Sequence, residues 1–211
     1  MKRSTLTTLR DFVPIRTLTR EEALRIAELQ AHRLQEICGI TAPPFPSAGI
    51  AELPRVQVER MSPIPVSGST HWASSRWLIV LNGAEPTTRQ RFSMAHEFKH
   101  ILDHRFVEVL YRGVSDLDRS AWIEQVCDYF AGCLLMPRPW VKGAYCSGIQ
   151  RLDQLAARFS VSQAAMQVRL TQIGLIEKSP RCSSLRPDWA LRAFARAGTP
   201  VRYQRAIRLV T

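Results

Sequence analysis

The sequence predicts an α+β fold, a small and mainly antiparallel sheet set among amphipathic helices, and three observations predict it. Apolar residues recur at three- and four-residue steps through about residues 20–38, 85–104 and 120–136, while short β-rich runs fill the interval between the first two windows. The composition, 45% hydrophobic and 22% charged over 211 residues, is that of a globular chain able to bury a core. No apolar stretch approaches the roughly 20 residues needed to cross a bilayer. The basic N-terminus lacks the apolar segment of a secretory signal, so a cytoplasmic protein without membrane contact is expected.

Thr19-Arg20-Glu21-Glu22 has the form of a capping box, and Leu24, Ala27, Ala31, Leu34 and Cys38 continue from it at helical spacing, predicting a first helix to about Cys38. Gly39 stops that helix, and four prolines between Thr41 and Pro54 predict a non-helical connector. Extended segments are expected at residues 55–60, 64–66 and 76–82, the last ended by Asn82-Gly83. Glu85-Pro86-Thr87 opens a second helix reaching about His104, with Phe92, Ala95, Phe98, Ile101 and Leu102 for its core face. After a polar loop over residues 105–119, a third helix over residues 120–136 is closed by Pro137-Arg138-Pro139. Beyond Gly148, helical segments at residues 152–159 and 162–173 flank a tight turn, and the tail is expected to hold a helix near residues 188–196.

The net charge of +11 is unevenly placed. Residues 1–20 carry +4 and residues 181–211 carry +6, which leaves the middle of the chain nearly neutral. This predicts a basic N-terminal arm at 1–19 and a basic C-terminal tail at 178–211, suited to an acidic partner such as nucleic acid or a protein surface. Five cysteines without a Cys-x-x-Cys pair fit neither a disulfide framework nor a cysteine-based zinc site, and are expected to be buried thiols.

His96-Glu97-Phe98-Lys99-His100 is a His-Glu-x-x-His on a predicted helix. The composition yields such a match by chance only about 0.006 times per chain. Two histidines one turn apart share a helix face, about 6 Å apart along the axis, and can converge on one zinc ion at roughly 2.0 to 2.1 Å. Glu97 then stands where a general base takes the proton of a water activated by the metal. A third protein ligand is required, and two residues compete. His104 continues the four-residue series, but on a straight helix it lies roughly 12 Å from His96. Glu124, on the next helix, has no such obstacle and is favoured. Asp128, one turn further, can accept a hydrogen bond from the outer nitrogen of a ligating histidine. Asp103 reads as solvated or as another hydrogen-bonding group near the metal. Tyr129, Tyr111 and His71 are candidate oxyanion donors.

The stretch from Arg89 through Arg91-Phe92-Ser93-Met94-Ala95-His96-Glu97-Phe98-Lys99-His100, followed by Glu124, Asp128, Phe130-Ala131 and Leu134-Leu135-Met136-Pro137, resembles the ImmA/IrrE metallopeptidase family. The resemblance spans about residues 20–176. It implies a zincin-like metallopeptidase core over 20–147 and one zinc per chain, with His96, His100 and Glu124 as ligands and Glu97 as catalytic acid and base. It also implies a protein substrate, a helix-turn-helix transcriptional repressor whose cleavage relieves repression in a mobile-element, stress-response or toxin–antitoxin setting. Lys99 stands where the family has Gly, Cys127 where it has Ala, Ser93 where it has Thr and Asp128 where it has Asn. Lys99 is expected to alter the rim of the cleft.

Residues 148–177 have the rhythm of a helix-turn-helix, with Leu155, Ala156 and Phe159 packing the first helix and Met166 and Leu170 the second. Gln163, Gln167 and Arg169 are expected on the exposed face, available to DNA or to the substrate. Two functions follow: a zinc endopeptidase, in which this segment packs on the core or grips the repressor, or a basic helix-turn-helix DNA-binding regulator whose zincin core is structural or inactive. The complete set of His96, Glu97, His100 and Glu124 favours the first.

Overall fold

The computed structural model describes residues 3–177, so the expected tail helix near 188–196 and Cys182 lie outside the described residues. The order of elements is α1 (Thr5–Arg10), α2 (Arg20–Ile37), α3 (Ala48–Ala51), β1 (Val56–Met61), β2 (Gly68–Ala73), β3 (Arg76–Asn82), α4 (Thr87–Asp103), α5 (Val107–Leu110), α6 (Asp116–Leu135), α7 (Arg138–Cys146), α8 (Leu152–Phe159) and α9 (Gln163–Gln172). This is the α+β class expected. Residues through Ile176 form one compact unit, with α8 and α9 inside it. No helix among the described residues is long and apolar enough to cross a membrane.

The capping box at the start of α2 is formed as read: the Thr19 hydroxyl accepts from the Glu22 amide, and the Glu22 carboxylate accepts from the Thr19 amide. Behind it Ala23, Ala27, Ala31 and Leu34 are buried, and the three alanines let α2 lie close along α6, which in turn packs on α4. Phe98 of α4 and Phe130 of α6 meet with ring centroids 6.3 Å apart at the centre of that contact. The segment expected as an N-terminal arm contributes α1, whose Leu9 is fully buried. Arg10 donates to the carbonyls of Ile101 and Leu102 at 2.7 and 3.2 Å, placing a cation on the negative end of α4.

The sheet runs β1-β3-β2, with β1 parallel and β2 antiparallel to β3, so it is evenly mixed where a mainly antiparallel one was expected. Its second strand is Gly68–Ala73, not residues 64–66. The hairpin from β2 to β3 turns through Ser74 and Ser75, both at positive φ (49° and 62°), the backbone that Asn-Gly ordinarily marks. Two serines hide that turn from a reader of composition. Four further helical pieces also differ from expectation. The proline-rich connector admits the single turn α3, the loop over 105–119 contains α5 and the start of α6, and the prolines that close α6 also open α7. Pro137 is the N-cap of α7 and Pro139 lies in its first turn, where a missing amide hydrogen costs nothing.

The α8–α9 pair is fixed to the core by two arginines. Arg91 of α4 donates to the carbonyl of Ser160 in the inter-helix turn at 3.1 Å and to that of Phe45 at 2.7 Å. Arg169 of α9 donates to the carbonyl of Met136 at the end of α6 at 2.9 Å. Ser162 caps α9 by accepting from the Ala165 amide, as its place in the sequence predicts.

Candidate metal centre and cleft

His96 and His100 project from one face of α4, and Glu124 reaches them from α6. The two imidazole Nε2 atoms are 3.1 Å apart, His96 Nε2 is 3.2 Å from one oxygen of Glu124, and His100 Nε2 is 3.3 Å from the other. Ligands about 2.05 Å from a tetrahedral centre are separated by about 3.3 Å. The three groups therefore lie at separations close to those of ligands around one divalent ion, with Glu124 meeting each histidine through a different oxygen. Asp128, one turn beyond Glu124, accepts from His96 Nδ1 at 2.8 Å, which fixes the tautomer that turns Nε2 inward. Burial opposes the charge of His96, but the hydrogen bond and charge of Asp128, with Glu124 and Glu97, outweigh it and raise its pKa. Burial and the neighbouring His96 lower that of His100.

The Cys127 thiol also lies near, its sulfur within 4.8 Å of ring nitrogens of both histidines. It is fully buried, and burial pushes its pKa well up. His104, the competing ligand from the sequence, instead lies edge-on to Trp77, centroids 4.9 Å apart, one turn past His100.

Glu97 is held from the sheet. The Thr70 hydroxyl donates to Glu97 Oε2 at 2.7 Å, leaving Oε1 without that bond. A Cβ at Gly68 would come within 3.1 Å of Glu97 Cγ and 3.3 Å of Oε1, so any larger residue at the head of β2 would press on the Glu97 side chain. Neither Gly68 nor Thr70 was found from the sequence. The alternation of Gly68, Thr70 and Trp72 on one face of β2 is the signal that identifies them once the strand is placed.

A cleft of about 670 Å3 opens in front of these groups, lined by Val66, Ser67 and Gly68 on one side, His96, Glu97, Glu124 and Asp128 on the floor, and Ala165, Val168 and Gln172 of α9 opposite. On the other side of Glu97 a second concavity of about 500 Å3 is lined by Thr70, His71, Trp72, Trp77, His100 and His104. The segment from Pro65 to Trp72 borders both, and β2 is an edge strand of the sheet.

Several sequence expectations need correction. Arg169 is 1% exposed, bonded to Met136 and stacked 5.6 Å over the Tyr129 ring, so it is not on the exposed face where it was expected, although it is among the residues bordering the cleft. Gln163 and Gln167 are exposed as expected. Lys99 does not reach the cleft rim; it is buried, donating to Asp103 at 2.6 Å and to Gln30 at 2.7 Å. Asp103 is accordingly buried in that pair rather than solvated. Among the oxyanion candidates, Tyr111 is buried against Trp122, Tyr129 lies under Arg169, and His71 lines the second concavity. Cys146 is exposed, unlike the other thiols described.

Comparison with known proteins agrees with this architecture. The IrrE N-terminal-like domain, a peptidase family, matches residues 54–171, more than half of the chain and the whole of the site. A solved structure titled Mycobacterium tuberculosis transcriptional regulator shares the fold with a TM-score of 0.58 at 17% identity, over 85% of this chain and 54% of that one. This chain thus spans about half the length of that protein. No curated protein matches it in sequence. Sheet, paired helices and matched residues together make the chain a member of the IrrE N-terminal-like peptidase family.

Proposed function

We propose that the chain is a zinc-dependent endopeptidase whose substrate is a helix-turn-helix transcriptional repressor, so that cleavage relieves repression. The observation that carries the peptidase reading is the triangle of His96, His100 and Glu124 at 3.1 to 3.3 Å with Glu97 beside it. Two nitrogens and one carboxylate suit zinc and leave a position open for water or substrate. Bound zinc supplies Lewis acidity, lowering the pKa of water and polarising a carbonyl. Thr70 holds one oxygen of Glu97 while the other takes the proton of the attacking water and passes it to the departing amine. Asp128 keeps His96 in one tautomer throughout. The edge of β2 has no partner strand among the described residues, borders both the cleft and the second concavity, and suits a substrate segment held as an added strand.

The repressor as substrate rests on the family resemblance, and a structural neighbour titled a transcriptional regulator is compatible with a regulatory setting. The alternative of a DNA-binding regulator with an inactive core draws less support, because Arg169 is buried and α9 turns Ala165, Val168 and Gln172 toward the cleft. The test is to incubate the zinc-loaded chain with helix-turn-helix repressors encoded near its gene and to identify fragments by mass spectrometry. Glu97→Gln is expected to keep one zinc per chain and to lose about 100-fold or more in cleavage rate. Cleavage by that variant at the parent rate would overturn the assignment of Glu97.

A further inference from the structure

The concavity on the His100 side of Glu97 is built from aromatic rings. Trp72, on the edge strand β2, is 54% exposed although it is among the largest apolar side chains of the molecule. Its ring is braced: Trp72 pairs across the strands with Trp77, centroids 5.0 Å apart at 61°, and Trp77 is met edge-on by His104 at 4.9 Å and 74°. The exposed indole is therefore a supported wall and not a loose surface side chain. Trp72 lies on the same face of β2 as Gly68 and Thr70, the two residues against Glu97, so the wall continues directly from the reacting centre.

We infer that this Trp72–Trp77–His104 box is a specificity pocket that receives a neutral aromatic side chain of the substrate, next to the bond to be cut. The inference rests on the peptidase reading above and adds the substrate class at one position. Three features select the occupant. Trp77, 8% exposed and packed between Trp72 and His104, holds the exposed Trp72 indole in place as the surface on which an aromatic ring can stack or meet edge-on. The half-exposed Trp72 has apolar surface that only an apolar partner removes from water. The one carboxylate bordering the concavity is Glu97, which a lysine or arginine in the pocket would engage as an ion pair, tying up the base. A cationic occupant, the other partner that tryptophan faces attract, would bind there at the expense of the base and so does not fit a substrate that is turned over.

The test uses the full chain carrying Glu97→Gln, loaded with zinc and immobilised, against a random peptide library, so that bound peptides are read without being cut. Phe, Tyr and Trp are expected to be enriched at a single position. Adding Trp72→Ala should reduce that enrichment roughly two- to tenfold, and Trp72→Phe should restore most of it. Selection of lysine or arginine there, no positional selection, or an unchanged preference in Trp72→Ala would each overturn the pocket. Cleavage of the selected peptides by the wild-type chain is scored separately. Aromatic selection without cleavage refutes the peptidase and leaves the pocket standing, and cleavage without aromatic selection does the reverse.

Discussion

Replacing Glu124 by Ala removes one corner of the triangle, while replacing Cys127 by Ala leaves all three corners in place. The two variants therefore separate the ligand set drawn from the 3.1 to 3.3 Å contacts from the one in which the nearby thiol supplies the third group. Loss of a partner that only orients a ligand costs about 10- to 100-fold in metal affinity, so loss of the Glu124 carboxylate itself should cost about 100-fold or more. At a zinc concentration 100 times the dissociation constant, binding stabilises the folded chain by about 2.7 kcal/mol. For a chain of this size that raises the melting temperature by about 5 to 10 °C. Thermal melts with buffered zinc and with chelator, beside metal analysis of the purified proteins, give both numbers. The parent and Cys127→Ala should hold about one zinc and show the shift; Glu124→Ala should hold about half or less and shift by under about 2 °C. A Glu124→Ala protein that keeps its zinc while Cys127→Ala loses it would refute the geometry proposed for this site.

Two further outcomes follow from the interior. Lys99→Met strands the buried Asp103 without its cation and should cost about 3 to 5 kcal/mol, read as a lowered melting midpoint, whereas Lys99→Met with Asp103→Leu should recover much of it; an unaffected single variant would mean the pair carries no weight. Burial pushes the Cys133 thiol up to about 11, so the folded chain favours its neutral form. Stability tied to that thiol is complete below its unfolded pKa of roughly 8.5 and is withdrawn as pH rises toward 11. Iodoacetamide at pH 9 should accordingly label the exposed Cys146 and spare Cys133, and mass spectrometry that finds Cys133 labelled as fast contradicts its burial.

The parts of the molecule legible in the sequence are those encoded by neighbours along the chain. The capping box of Thr19 and Glu22, the cap at Ser162, and the one-turn spacings of His96 with His100 and of Glu124 with Asp128 each lie within four residues. What was not legible depends on partners far away. Lys99 reads as a surface lysine until Gln30, 69 residues earlier, is found accepting its hydrogen bond. Arg169 looks exposed on a helical wheel because nothing local announces the carbonyl of Met136, 33 residues earlier, as its partner. Strand β2 escaped because its polar, half-exposed sequence fits an edge and its turn is made by two serines.

The same distinction bears on the helix-turn-helix rhythm of residues 152–170. That rhythm records how two short helices pack, through Leu155, Ala156, Phe159, Met166 and Leu170, all buried, and it is silent about what the second helix faces. A DNA reader presents the N-terminal part of that helix to a groove and its basic residues to phosphate. Here Arg91 grips the turn from the peptidase helix, and Arg169, the basic residue of α9, is spent on α6. With both arginines engaged, Ala165, Val168 and Gln172 become the far wall of the cleft in front of Glu97. Half-exposed Val168 and Val66, both lining this cleft, then offer apolar surface to the peptide substrate proposed for it. In the proposed peptidase the helix pair would thus serve as one wall of the cleft, held there by Arg91 and Arg169.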